Sequence, residues 1–283
     1  EMFGGEGLLR PAMHYRWNFD KDNLDFILQQ FGLFALPQVP HEERRNMALH
    51  AAGRMRKAAV SFGVTPETKP DIEAAYHDTM AELDAHFSAH PYLLGGAPTI
   101  GDYGLFAALY PHLGRDPHPL RLMQKKAQML LRWTERMRNP TSDMVEFVGH
   151  DESLLGEDAI PVTLKALLLR VASDYLPEIE AMMAFTNEWL GENNPEPNEI
   201  VGGESLERGI GMCQFKWHGL DVSVVVMPYR IFMLQRIQDA YDELNAPARE
   251  AVDALLAETG LSALITTRCA RRVERENHRE IWR

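Results

Sequence analysis

The sequence predicts a mainly α-helical protein, in which a helical bundle is followed by a helical extension carrying one β-hairpin. Apolar residues recur every three to four positions, as in amphipathic helices, as far as about residue 139. A second helical pattern begins at Pro161, and the period changes to alternation near residue 212. We therefore expect a helical domain over residues 1–140, a turn-rich connector over 141–160 and an extension over 161–283.

The helices are placed by caps, breakers and apolar stripes. Pro11 is expected to kink or end the first helix, and Asp20 or Asn18 can cap the second. The next helix combines a basic face with alanines that suit close helix contact. Further helices are predicted over 71–90, from 99 onward, and over 120–138, 161–189, 228–244 and 247–259.

The hairpin is predicted from alternating and β-branched residues over 212–217 and 222–227, on either side of a His218-Gly219 turn. The remaining tail, 268–283, is polar and rich in arginine. Its arginines alternate with glutamates. We therefore expect this tail to dock by ion pairing onto the protein's own body or onto another domain.

Composition narrows the functional classes. The chain has 283 residues, is 45% hydrophobic and carries a formal net charge of −12, which argues against nucleic acid as a partner. Its two cysteines, Cys213 and Cys269, give neither a disulfide framework nor a zinc site, so we expect a cytoplasmic setting. No apolar run approaches the about 20 residues that cross a bilayer, so we expect no membrane partner.

The most specific motif begins with a Gly95-Gly96-Ala97-Pro98 loop. Thr99 can cap the next helix through its hydroxyl, and the carboxylate of Asp102 can reach back to the N–H of Thr99. Apolar residues after Asp102 predict that this helix is buried. On the cap alone, Asp102→Ala is expected to cost roughly 0.5–2 kcal/mol.

This segment resembles the capping-box segment of the glutathione S-transferase C-terminal domain, a Leu-Gly-x-x-Pro-Ser/Thr-x-Ala-Asp-Phe/Tyr pattern. Gly101 departs from it, since the family commonly has Ala there. The resemblance covers about residues 1–140, and in the family this segment is a folding element rather than a catalytic one. The matching residues are Leu94, Gly95, Pro98, Thr99, Asp102 and Tyr103.

The resemblance implies a function that this chain would share with another domain. Family members bind glutathione in an N-terminal thioredoxin-like domain, which is expected outside this chain and holds the thiol-activating residue. Glutathione would be the co-substrate, a small apolar electrophile the second substrate, and the protein a homodimer. The chain would supply the electrophile pocket and a dimer surface without being catalytic by itself, and its catalytic residue is unknown.

The same resemblance places one aromatic cluster in or near the electrophile pocket. Aromatic walls suit an apolar ligand, and Tyr, His and Arg can orient it. Helix packing is the favoured explanation of the same residues, and it is favoured more strongly for two further candidates on the capped helix. The cluster is Met13, His14, Tyr15, Arg16 and Trp17, and the further candidates are Tyr103 and Phe106.

Two other patterns favour structure over chemistry. Asp78, Glu82 and His86 align on one helix face, but a single helix cannot close a metal site, so no metal is expected. Cys213 is expected to be a buried small residue rather than a nucleophile. Two alternatives to a transferase role remain open, a non-enzymatic interaction scaffold and an apolar-ligand-binding helical protein.

Overall fold

A computed structural model describes residues 2–139, 144–202 and 208–283. The chain forms two compact units, residues 3–167 and 168–283, and the boundary falls within one helix. The predicted connector lies partly outside the described residues, at 141–143. The domain limits inferred from the sequence stay a prediction.

The first unit is built from helices, as predicted. Two π-helical segments, Met2–Gly7 and His14–Phe19, flank the first α-helix, and a third, Leu109–Leu113, continues the fifth. The sequence predicted that Pro11 kinks or ends the first helix, whereas in the structure Pro11 lies inside α1 and the chain continues as the second π-helical segment. The α-helices are α1 Leu9–Met13, α2 Lys21–Ala35, α3 His41–Val60, α4 Lys69–Ala89, α5 Ile100–Ala108, α6 Pro117–Lys126 and α7 Gln128–Arg138.

The core of this unit forms where α4, α5 and α7 meet. Phe87 of α4 stacks on Trp133 of α7, with ring centroids 4.7 Å apart, and both side chains are fully buried. Asp84 of α4 accepts the N–H groups of Met129 and Leu130 at 2.7 and 3.1 Å. These bonds satisfy donors that the first turn of α7 cannot pair within the helix.

The second unit combines helices with two hairpins. Helix α8, Val162–Asp174, contains the boundary between the units. The sequence predicted one hairpin, β1–β2, which the structure contains, and the described residues contain a second, β3–β4. The further elements are α9 Leu176–Asn193, β1 Met212–Trp217, β2 Leu220–Val225, α10 Pro228–Asp242, α11 Ala246–Glu258, α12 Ala263–Thr266, β3 Val273–Glu276 and β4 Arg279–Trp282.

The arginine-rich tail forms the second hairpin and pairs with its own unit. Arg268 donates two hydrogen bonds to Asp242, and Arg272 donates two to Asp239, all at 2.8 Å. Each guanidinium thus binds one carboxylate of α10 in the bidentate arrangement that arginine favours. The tail therefore docks onto the protein's own body, one of the two outcomes expected from the sequence.

Candidate functional site

The helix that carries the family resemblance begins as predicted. Thr99 and Asp102 form the reciprocal capping box at the start of α5. The N–H and the hydroxyl of Thr99 both donate to Oδ2 of Asp102, at 2.8 and 2.9 Å. The structure adds what the sequence could not show, because Oδ1 accepts the N–H of Leu93 and the indole N–H of Trp133, both at 3.0 Å. Asp102 is fully buried and joins α5 to α7.

An apolar groove lies between α2 and α3 and is lined almost entirely by uncharged side chains. Its volume is about 490 Å³, within the range of small-molecule sites. Gly32 lets the helices approach, because a Cβ there would stand 2.7 Å from Cγ of Arg44. The lining residues are Trp17, Ile27, Leu28, Phe31, Gly32, Ala35, Leu36, Met47, Ala48, Ala51, Ala52, Arg54 and Met55.

Several large side chains along this groove remain exposed to solvent. Phe31 is 48% exposed, Met47 is 47% and Met55 is 41%. Leaving these side chains in contact with water forgoes the hydrophobic stabilisation that their burial would give. Contiguous exposed apolar surface of this kind is typical of a binding site.

The predicted aromatic cluster is buried, and only one of its members reaches the groove. Met13 ends α1, and His14, Tyr15, Arg16 and Trp17 lie in the second π-helical segment. All five are at most 7% exposed. Trp17 lines the groove, and its ring centroid lies 5.6 Å from that of Phe31. Contact of any of the five with a substrate stays a prediction.

His14 and Tyr15 take part in an aromatic core. Nε2 of His14 lies 2.9 Å from Oε1 of Glu73, and burial still lowers the pKa of His14 against the opposing effect of this carboxylate. Tyr15 stacks on His118 with ring centroids 5.5 Å apart, and burial raises the pKa of its phenol. A phenol held protonated in this way is a poor base at neutral pH.

Arg16 is buried and paired within the protein. Its Nε and Nη2 donate to the two carboxylate oxygens of Asp116, both at 2.8 Å, and Nη2 also donates to the carbonyl of Pro111 at 2.6 Å. Burial raises the pKa of Asp116, and the arginine opposes that shift. Burial and the charge of Arg16 together lower the pKa of the neighbouring His112 to about 4.

The two candidates on α5 lie elsewhere. Tyr103 is 60% exposed and borders a smaller pocket of about 240 Å³, which Arg136 also lines. Phe106 is half-buried and stacks on Tyr110, with ring centroids 4.9 Å apart. The structure therefore does not gather the predicted site residues into one pocket.

The sequence does not predict most of the groove. The only signals for it were the small residues of α3, which predicted close helix contact, and the apolar face of α2. Neither signal tells which part of the face stays open, since that depends on how α2 and α3 pack against the π-helical segment. The groove offers shape and apolar contact, with Arg54 as the one charged lining residue, so it is suited to binding rather than to acid–base chemistry.

The structure places the other candidate residues in structural roles. Within the described ranges, no group of three or more histidine, cysteine or acidic residues could hold a metal. His86 is buried, with Nδ1 2.8 Å from the hydroxyl of Thr163. Cys213 is buried in β1, and burial raises the pKa of its thiol to about 11, which opposes a role as a nucleophile.

Residues 56–136 match the family model of the glutathione S-transferase C-terminal domain. The helical fold and the capping box of this segment agree with that match. The match includes the end of α3, the capping box and most of α7. No curated protein and no solved structure matches the chain. In the part of the chain that the structure describes, none of the helices combines the length and apolar character needed to cross a bilayer.

Proposed function

We propose that the first unit binds a small apolar electrophile in the groove between α2 and α3, and that glutathione is its co-substrate in the intact natural protein. The observation that carries this proposal is the open groove of about 490 Å³, lined by twelve uncharged residues and one arginine. The family match supports glutathione as the thiol, since the matched domain belongs to glutathione-dependent transferases. Glutathione itself would bind outside the groove, which offers almost no polar partner.

Ligand binding can be tested with phenylnaphthylamine, a neutral probe whose fluorescence rises in apolar surroundings. Ala51 is exposed and lines the groove, so Ala51→Phe should fill part of it without disturbing the core. Ala81→Phe on the exposed face of α4 is the matched control. The proposal predicts saturable binding that Ala51→Phe weakens at least tenfold and Ala81→Phe leaves unchanged. Absence of binding, or equal loss in both variants, would contradict it.

The role of glutathione needs a separate measurement. Conjugation of a neutral model electrophile is followed in the intact natural protein with and without Ala51→Phe. The proposal predicts glutathione-dependent turnover whose KM for the electrophile rises in the variant, because only the apolar substrate has lost its site. No turnover together with no retention on immobilised glutathione would rule out the transferase function, and apolar-ligand binding would remain as the proposed function.

An interaction scaffold is the second candidate, and one observation favours it. Phe34 is 72% exposed and Leu33 is 49% exposed at the end of α2, beside the groove. Exposed apolar side chains of this size often mark a protein interface. A homodimer that uses this surface would dissociate in sedimentation velocity when Phe34 is changed to Ser, whereas electrophile binding alone predicts no change in mass.

A further inference from the structure

The charges around the groove are unevenly distributed along α3. Glu42 and Glu43 lie in its first turn, whereas no acidic residue occurs between Met47 and Val60. Arg54, Arg56 and Lys57 lie in that second half. Arg44 and Arg45 follow the two glutamates and balance their charge, so the net positive charge of α3 lies in its second half.

Arg54 is the basic residue that reaches the groove. It is exposed, and it is the one charged side chain among the lining residues. In the described ranges no carboxylate lies within ion-pairing distance of its guanidinium, whereas Arg45 on the same helix pairs with Asp25 at 2.6 Å. Because Arg54 lies more than one turn before the end of α3, stabilisation of the helix C-terminus does not account for it.

Resting on the proposed function, we propose that the groove selects an apolar ligand that carries one anionic group, such as an alkyl carboxylate, and that Arg54 binds this group. The alkyl part lies between Phe31 and the alanines of α3, and the carboxylate lies beside Arg54. Because Arg54 is the one charged lining residue, it alone fixes the ligand's direction. A guanidinium suits this role because it stays charged and pairs with both oxygens of a carboxylate.

The test compares decanol with decanoate, a pair that shares one alkyl chain and differs in charge. Each is used to displace phenylnaphthylamine from the wild-type chain, from Arg54→Gln and from Arg56→Gln. Arg56 is exposed on the same helix and is not among the lining residues, so its variant makes the same charge change outside the groove. The experiment runs at pH 7 and low salt, where decanoate is ionised and surface charges are little screened.

The proposal predicts a change in selectivity rather than a general loss of binding. Arg54→Gln should weaken decanoate about three- to fivefold, the worth of a good exposed ion pair, and leave decanol unchanged. Arg56→Gln should change either affinity by less than about twofold. Added salt should reduce the decanoate affinity of the wild type and have little effect on Arg54→Gln.

The contrary outcomes separate the two proposals. If both ligands bind and Arg54→Gln changes them equally, or Arg56→Gln acts as strongly, the anion selectivity is wrong while the apolar site stands. If neither ligand displaces the probe in a folded protein, both proposals fall. A dimer that Ala51→Phe dissociates would assign the groove to a second copy of the chain and would also overturn both.

Discussion

The capped core around Asp102 and the groove between α2 and α3 belong to one unit but differ in solvent exposure and in polar contacts. Asp102 is fully buried, and four donors surround its carboxylate. The groove leaves Phe31 and Met47 about half exposed and offers a single charged side chain. The first region is buried and stabilises the fold. The second is open to solvent and accessible to a ligand, at a cost in stability. Stability and ligand affinity should therefore respond to different substitutions.

The largest effect is expected from removing the buried carboxylate. Asp102→Ala deprives the indole of Trp133 and the N–H of Leu93 of their acceptor, in addition to the cap. Each of the two buried donors left unpaired costs about 1–3 kcal/mol and the cap about 1 kcal/mol, so the free energy of unfolding should fall by about 3–7 kcal/mol. Thr99→Ala removes the hydroxyl, which both caps the helix and donates to Asp102, but it leaves Leu93 and Trp133 paired, so it should cost about 1 kcal/mol.

Chemical denaturation of these two variants measures the difference, and probe binding under native conditions completes the comparison. Folded Asp102→Ala should keep the wild-type affinity for phenylnaphthylamine. Equal losses of stability in Asp102→Ala and Thr99→Ala would show that the bonds to Trp133 and Leu93 contribute nothing.

The free energy of unfolding should also depend on pH, because the buried core contains histidines. Burial and Arg16 lower the pKa of His112 in the folded protein to about 4, whereas an unfolded histidine titrates near 6.5. Between these values the unfolded chain binds a proton that the folded chain does not. Stability is therefore lost as the pH falls through this window, by about 1–2 kcal/mol between pH 7 and pH 5.

Urea titrations at the two pH values test this linkage. Burial also lowers the pKa values of His14 and His86, which adds to the effect with the same sign. His112→Gln should make the stability difference smaller without abolishing it. An unchanged difference in that variant would show that His112 does not contribute.

On the groove side, Ala51→Phe should change affinity and not stability. A tenfold loss of probe affinity corresponds to about 1.4 kcal/mol of binding free energy. Because Ala51 is exposed, the free energy of unfolding should change by less than about 0.5 kcal/mol. A loss of stability as large as the loss of binding energy would mean that the groove belongs to the folded core.

The smallest effect concerns the departure from the family pattern. Gly101→Ala gains helix propensity worth up to about 1 kcal/mol. An added Cβ would stand 3.0 Å from Cδ1 of Leu93, so that side chain has to shift. We expect a net stabilisation smaller than about 1 kcal/mol by thermal denaturation, and a clear destabilisation would show that Leu93 cannot move.

The parts of the fold with local signals could be predicted from the sequence. The capping box depends on two residues three positions apart, and the first hairpin has the alternation and the His218-Gly219 turn typical of one. The second hairpin was missed because its strands are mostly charged. Its turn uses Asn277 and His278 at φ 48° and 64°, rather than the Asn-Gly pair that usually signals such a turn.

The groove could be located only from the tertiary structure. The amphipathic pattern shows that α2 and α3 bury one face, but not that their closest approach leaves a cleft beside Trp17. The sequence of the aromatic cluster likewise does not distinguish pocket lining from core packing, because both use aromatic residues. In the structure, Arg16 donates a hydrogen bond to Asp116, and Tyr15 stacks on His118.

Photo-crosslinking tests the central claim most directly. A neutral alkyl diazirine is bound to the chain, activated by light and located by peptide mapping. We expect labels on α2 and α3, at residues 21–35 and 41–60, that excess decanol prevents and Ala51→Phe reduces. Labels confined to residues 69–139 or 168–283, with α2 and α3 unmodified, would contradict it.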